Sequence, residues 1–366
     1  MSKSVKKITQ FSRQAHWLSE RPNPEYSRGF QCLLRWVPGV QRAYRAYLYA
    51  LQEKDFAGFD LETGEKLRTD WTTVTAGYIA QNAPEKYRDF LVPKTVIGCK
   101  RRVMDTDYLA CLHRDNVELV YEDPIEHITE DGVTTKSGRA VHADAIVLAN
   151  GFETQLPLFP MEIRGQNGQD IANHWMEFGN GSPEAYFGTC FSGFPNFFVL
   201  MGPNTLSGHL SVMYTTECQI GFILRIIQPI LEGINRPLGS DYPESVAVTA
   251  PAERRDVEMV DRKAKKLVWA SGCTSWFIDP KSGRNTVMWP DWQFKFWLRA
   301  IFVPWTDFVY RTAGQKQWRR PGWMAQVLKS RTTMVLMVLG GCLGWQYLGK
   351  SDLPSRMKDV WKFLRA

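Results

Sequence analysis

The chain has 366 residues, 44% of them apolar and 13% aromatic, which is enough for two domains or one large one and too apolar for widespread disorder. Its net charge is +7, but the basic residues are dispersed through Trp- and Phe-rich sequence with no arginine-rich arm, so nucleic acid is not an expected partner. The cysteines, Cys32, Cys99, Cys111, Cys190, Cys218, Cys273 and Cys342, are odd in number and lack C-x-x-C spacing. They are expected to be reduced thiols, with neither a disulfide framework nor a zinc site. The basic N-terminus lacks the apolar core of a secretory signal, so export by that route is not expected.

Residues 5–12 read as a short strand with Val5, Ile8 and Phe11 as its apolar positions. Proline turns follow, then an aromatic, arginine-bearing helical stretch around residues 35–52, where Tyr44, Tyr47, Leu48 and Leu51 share one face and are expected to pack. Asp105 and Asp107 stand where helix-start caps belong. From Asn116 the pattern turns to short β runs at residues 117–121, 125–129 and 133–136, the last two joined by Glu130-Asp131-Gly132, a hairpin signal.

Residues 145–149 form the next apolar run, closed by Asn150-Gly151-Phe152. Residues 197–201 form another, ended by Gly202-Pro203-Asn204. A long helix is expected over residues 211–233, with Ile220, Ile223, Leu224, Ile227 and Leu231 in helical register. An aromatic cluster follows: Trp276, Phe277, Trp289, Trp292, Phe294, Phe296 and Trp297. Finally, residues 332–349 run without a charge, a length at the lower edge of a bilayer span, with Trp345 and Tyr347 suited to an interface. The chain is thus expected to be cytoplasmic or held to a membrane by a single pass.

No Gly-x-Ser-x-Gly, His-Glu-x-x-His or P-loop is present, so hydrolase and nucleoside triphosphatase chemistry has no residues to rest on. Nor does a Gly-x-Gly-x-x-Gly loop follow any strand.

Several ordered landmarks resemble the class B flavin-dependent monooxygenases of the Baeyer-Villiger and flavin-containing type. They are Ile8-Thr-Gln-Phe-Ser-Arg-Gln-Ala-His-Trp17, Gly98-Cys-Lys-Arg101, Ala149-Asn-Gly-Phe152, Gly193-Phe-Pro-Asn-Phe197, the stretch from Met201 through Gly202-Pro-Asn204 to His209, and Cys273-Thr-Ser-Trp276. Asn150 stands where the family usually has threonine. The resemblance implies an α/β fold: a partial two-dinucleotide-binding, Rossmann-like architecture with a β-meander and a C-terminal helical region. It divides the chain into residues 1–104, a remnant of the NADPH-binding domain with a helical insertion; 105–235, the later half of the FAD-binding domain; 236–330, an aromatic-rich region; and 331–366, a candidate membrane helix and basic tail. Because both glycine loops of the family are missing, the sequence is expected to correspond to the C-terminal portion of such an enzyme.

The activity implied is an FAD- and NADPH-dependent monooxygenase that inserts one oxygen of O2 into a ketone or other small organic substrate through a flavin peroxide. A cation beside the flavin is needed for that chemistry, and Arg101 is the implied catalytic residue, permanently charged with a planar fork of donors. Lys100 would meet the ribose phosphate of NADPH. Asn150, Gly151, Phe152, Gly202, Pro203, Asn204 and Trp276 would line the cofactor site. Read without the resemblance, Lys100, Arg101 and Arg102 are a solvated basic run, Gly202-Pro-Asn204 is a turn, Trp276 is core and His209 is structural. A catalytically inactive, membrane-tethered remnant serving as an interaction module is the alternative. A pyridine-nucleotide disulfide reductase relative is weaker, for want of paired redox cysteines.

Overall fold

A computed structural model of the protein describes residues 3–319, apart from residues 22, 24, 180, 235–240 and 273. The elements run β1 (Ile8–Phe11), β2 (Leu18–Glu20), α1 (Arg28–Trp36), α2 (Val40–Glu53), α3 (Glu65–Asn82), α4 (Arg88–Leu91), β3 (Val103–Asp105), α5 (Tyr108–Cys111) and β4 (Val117–Val120). There follow β5 (Ile125–Thr129), β6 (Gly132–Thr135), β7 (Ala140–His142), α6 (Ile171–Gly179), α7 (Val212–Gly233), β8 (Ser245–Val248), α8 (Ala250–Ala264), α9 (Gln293–Ile301), β9 (Phe308–Arg311) and β10 (Gln317–Trp318). The fold is α/β.

Two parallel pairs open the chain: β1 with β4, aligning Ile8 with Val117, and β2 with β3, aligning Leu18 with Val103. A two-stranded sheet is not stable alone. These pairs rest on a buried cluster that includes Trp17, Leu18, Ile79, Leu109, Val117 and Leu119. The expected hairpin forms as β5–β6 and continues into β7 as an antiparallel meander. Gly132 is required there: its φ is +150°, and a Cβ would lie 2.1 Å from the Val141 carbonyl oxygen.

The largest buried cluster joins α7, α8 and α9 to the antiparallel sheet β10–β9–β8 through Phe187, Phe222, Ile226, Val248, Phe296 and Tyr310, among others. Sequence dictates the start of α8 plainly, since the Thr249 hydroxyl accepts from the Ala252 amide and Pro251 sits in the first turn, where no N–H is needed. Asp105 likewise caps α5, accepting from the Tyr108 amide at 2.7 Å, whereas Asp107 at φ +68° makes no capping bond.

Four expectations need correction. Residues 145–149 form no strand: they are exposed, and among the described residues no strand pairs with their backbone groups. Residues 197–201 make only an isolated bridge from Phe198 to Cys190, because positive φ at Asn196 (+59°) and Met201 (+56°) bends the chain out of the extended state. The shared face expected to pack does so only at Tyr44, against Phe30 and Tyr26, while Tyr47, Leu48 and Leu51 are exposed, Tyr47 by 58%. Cys99 is disulfide-bonded, while Cys32, Cys111, Cys190 and Cys218 are free; without C-x-x-C spacing the bond leaves no signal in the sequence. The apolar run at 332–349 lies outside the described residues. Among those described, no helix is long and apolar enough to cross a membrane.

Candidate functional site

The basic run after Gly98 divides into three environments, so it is not one solvated strip. Lys100 is half-buried and donates from Nζ to Gln14 Oε1, and burial pushes its ammonium below the usual lysine value. Arg102 pairs with Asp55 at 3.0 Å and lies 4.9 Å over the Trp71 ring. Arg101, between them, is exposed and donates from Nη2 to the Leu210 carbonyl at 3.3 Å. Arg101 is thus the exposed member of the run, held by one bond from its fork, while Lys100 and Arg102 are more buried.

Leu210 follows the Gly202-Pro203-Asn204 turn, and that turn is built for close backbone contact. Gly188 has φ +61°, and a Cβ there would lie 2.5 Å from the Pro203 oxygen; a Cβ on Gly202 would lie 2.4 Å from the Gly188 oxygen. The two glycines thus permit two chain segments to touch, a structural reason for Gly202 independent of any ligand. Asn204, at φ +57°, is held on both sides: its amide donates to the Thr286 carbonyl at 2.9 Å and its Nδ2 to the Asn285 carbonyl at 2.7 Å.

Asn150, Gly151 and Phe152 present an open surface. Gly151 has φ +98° with nothing within 4 Å of a Cβ position, and Phe152 is 95% exposed. Val147 and Leu148 beside them are bare as well. Trp276 is half-exposed rather than core, and it packs edge-on to buried Phe277 with ring centroids 4.6 Å apart.

Residues that sequence reasoning missed join these segments. Gln155 donates from Nε2 to the Trp276 carbonyl at 3.2 Å and accepts at Oε1 from the Thr286 hydroxyl at 2.7 Å. Thr154 adds a second bond to the Trp276 carbonyl at 3.3 Å. Thr286, in turn, carries the carbonyl that holds Asn204. One hydrogen-bond chain therefore links the loop after Phe152, the peptide of Trp276 and the Gly202–Asn204 turn. Isolated Gln and Thr residues give no sequence signal for such a role. Of the two basic candidates, Arg101 reaches the loop after this turn through the Leu210 carbonyl, whereas Lys100 is tied to Gln14.

His209 adopts the structural role. Its Nε2 donates to Glu53 Oε2 at 3.1 Å, Phe56 and Phe59 pack around its ring, and Glu53 Oε1 accepts the Phe294 amide at 3.1 Å. Clefts of some 270 and 340 Å³ lie elsewhere, one against Phe187, Arg299 and Asp307, the other against Gln169, Ser192 and Arg311, and no candidate residue lines either. The candidate site is an open wall.

No family model matches the chain. A Baeyer-Villiger monooxygenase of Pseudomonas aeruginosa is 32% identical over 287 residues, which cover 78% of this chain and 52% of that protein. Over that stretch the chain is similar to the Baeyer-Villiger monooxygenases. A FAD-binding monooxygenase of Aspergillus niger, ktnD, is 27% identical over 348 residues, 92% of this chain and 52% of the relative. The chain thus spans about half the length of the curated relatives it matches. The fold agrees: a closed crystal structure of cyclohexanone monooxygenase superposes with a TM-score of 0.69 at 19% identity, covering 85% of this chain and 64% of that one. A complex of OTEMO with FAD and NADP gives 0.68 at 22% identity, covering 84% and 63%.

Proposed function

We propose that the chain furnishes part of an FAD- and NADPH-dependent monooxygenase that places one oxygen atom of O2 into a ketone or another small organic molecule. Bound FAD, reduced by NADPH, would supply the oxygen activation. The reading rests on the similarity to Baeyer-Villiger and FAD-binding monooxygenases together with the hydrogen-bond chain from Gln155 through Thr286 to Asn204, which links three separated candidate segments.

The residues fit the flavin ring better than they fit its diphosphate. Exposed Val147, Leu148 and Phe152 offer an apolar face for a flat ring, and the open Gly151 leaves backbone able to approach it. Arg101 would sit at the edge of that face as the catalytic cation, with its remaining donors free to hold negative charge where water is excluded. Lys100 would take the ribose phosphate of NADPH, Trp276 would border the nicotinamide and substrate, and Gly202, Pro203 and Asn204 would close the ring side. A diphosphate, by contrast, calls for a glycine-rich loop ahead of a helix, and the sequence has none. That cradle would come from sequence equivalent to the half of the relatives not matched here. In this reading residues 1–104 carry part of the NADPH domain, 105–235 the later half of the FAD domain and 236–330 the aromatic region that includes Trp276.

The test is a chimera in which this chain follows the glycine-loop half of the Pseudomonas aeruginosa relative. With a cyclic ketone it is expected to consume NADPH and form an ester or lactone. Arg101→Ala should abolish product while NADPH oxidation continues; retained product would refute the assigned role.

A further inference from the structure

The segment from Tyr26 to Gln52 carries four arginines, Arg28, Arg35, Arg42 and Arg45, and not one aspartate or glutamate. All four are exposed. The segment folds as the α1–α2 hairpin, turned by Pro38 and by Gly39 at φ +85°. Its inner side is ordered by aromatic contacts: Phe30 meets Tyr44 edge-on at 5.2 Å, and the hydroxyls of Tyr26 and Tyr44 lie 3.0 Å apart.

The outer side is apolar and uncovered. Helix α1 buries no residue at all, and α2 buries only its last, Glu53. Leu33, Trp36 and Val37, spaced as neighbours on one helical face, are exposed, Trp36 by 70%. Tyr47, Leu48 and Leu51 form the matching stripe on α2. Meanwhile the hairpin is fastened to the body from behind, where Tyr49 packs on Tyr214 at 5.3 Å and Glu53 holds His209. The Arg35 guanidinium lies 5.3 Å over the Trp36 ring, joining charge and apolar surface at one point.

We infer that this hairpin docks on an anionic lipid surface. The two helices, 9 and 14 residues long, would reach only about 14 and 21 Å at 1.5 Å per residue, too short for a hydrocarbon core of about 30 Å. They therefore lie in the interface, with Trp36, Leu33, Tyr47 and Leu51 in the boundary layer and the arginines at head-group level. A second copy of the chain fits less well, since a two-fold contact through the same patch brings arginines against arginines with no acidic residue in the segment to offset them.

Sedimentation of the full chain with vesicles tests this. Vesicles of mixed phosphatidylserine and phosphatidylcholine are expected to carry the protein down, phosphatidylcholine alone much less, and added salt should release it. Because the arginines are exposed, a variant with Arg28→Gln, Arg35→Gln, Arg42→Gln and Arg45→Gln should keep its circular dichroism spectrum and bind at least about tenfold more weakly. Trp36→Ala should weaken binding in the same direction without changing charge. Equal binding to both vesicle types, vesicle binding that survives the arginine changes, or capture by polyglutamate with none by vesicles would each overturn the assignment.

Discussion

Glu53, the last residue of α2, lies 3.1 Å from His209 across the fold, their side chains only 10% and 3% exposed. This pair connects the helical hairpin to the loop that ends in Leu210, whose carbonyl holds Arg101. Glu53 also accepts the Phe294 amide, so its removal leaves the buried His209 and a half-buried amide without this acceptor. Glu53→Ala is expected to cost about 3 kcal/mol of stability, the lower end for breaking a buried pair. Urea unfolding of the two proteins measures it; a loss under about 1 kcal/mol would show that the pair does not fasten the hairpin.

The contact between the Gly188 and Gly202 backbones leaves no room for a side chain. In Gly188→Ala the new Cβ would meet Thr205 Cγ2 at 2.1 Å, at a φ that alanine disfavours. A loss of at least about 2 kcal/mol is expected from strain and overpacking together. Gly151→Ala is the control: its φ is also positive, but the space around it is open, so the cost should stay near about 1 kcal/mol. Equal losses would mean that the Gly188 contact is not tight.

Gln155 holds the Trp276 peptide and the Thr286 hydroxyl at once. In Gln155→Ala the segment from Asn150 to Gln155 loses its tie to the turn at Asn204. Hydrogen exchange in that segment should accelerate while exchange in α8 stays unchanged. Unaltered exchange at residues 150–156 would separate the three segments that the proposed site requires.

Asp291 supplies a pH signature. Burial raises its carboxyl, but Lys263 at 2.5 Å, Lys295 at 2.9 Å and the Trp292 amide at 2.8 Å outweigh burial and hold it below the usual carboxylate range. A carboxyl depressed in the folded state stabilises fully above its unfolded value of about 3.9 and loses that contribution as pH falls through the lower folded value. Asp291→Asn is therefore expected to lower Tm at neutral pH and to flatten the fall of Tm with acid. A variant whose Tm falls as steeply as wild type below about pH 4 would remove Asp291 from that role.

Local pattern made part of this molecule legible. The hairpin at Gly132, the cap at Asp105, the long helix α7 and the first strand all follow from periodicity and turn chemistry within a few residues. What failed depended on distant partners. Residues 145–149 have the composition of a strand, yet a strand exists only when a neighbour takes its backbone groups, and none does so among the described residues. Tyr47 and Leu51 have helical spacing, which shows that they share a face but not what covers it. In the candidate site the glycines and Arg101 carried a resemblance, whereas Gln155 and Thr286, which connect its segments, are ordinary surface-type residues whose roles arise only from the tertiary path.

The proposed wall would take a flavin ring without a glycine-rich diphosphate loop in this sequence, and comparative flavin binding tests both halves of that proposal. Fluorescence titration of the purified full chain at high salt is expected to give weak binding of riboflavin and FAD, equal within about threefold, and weakened by Phe152→Ala. Stoichiometric FAD retained through purification, FAD bound at least about a hundredfold tighter than riboflavin, or no binding of either flavin would contradict the account.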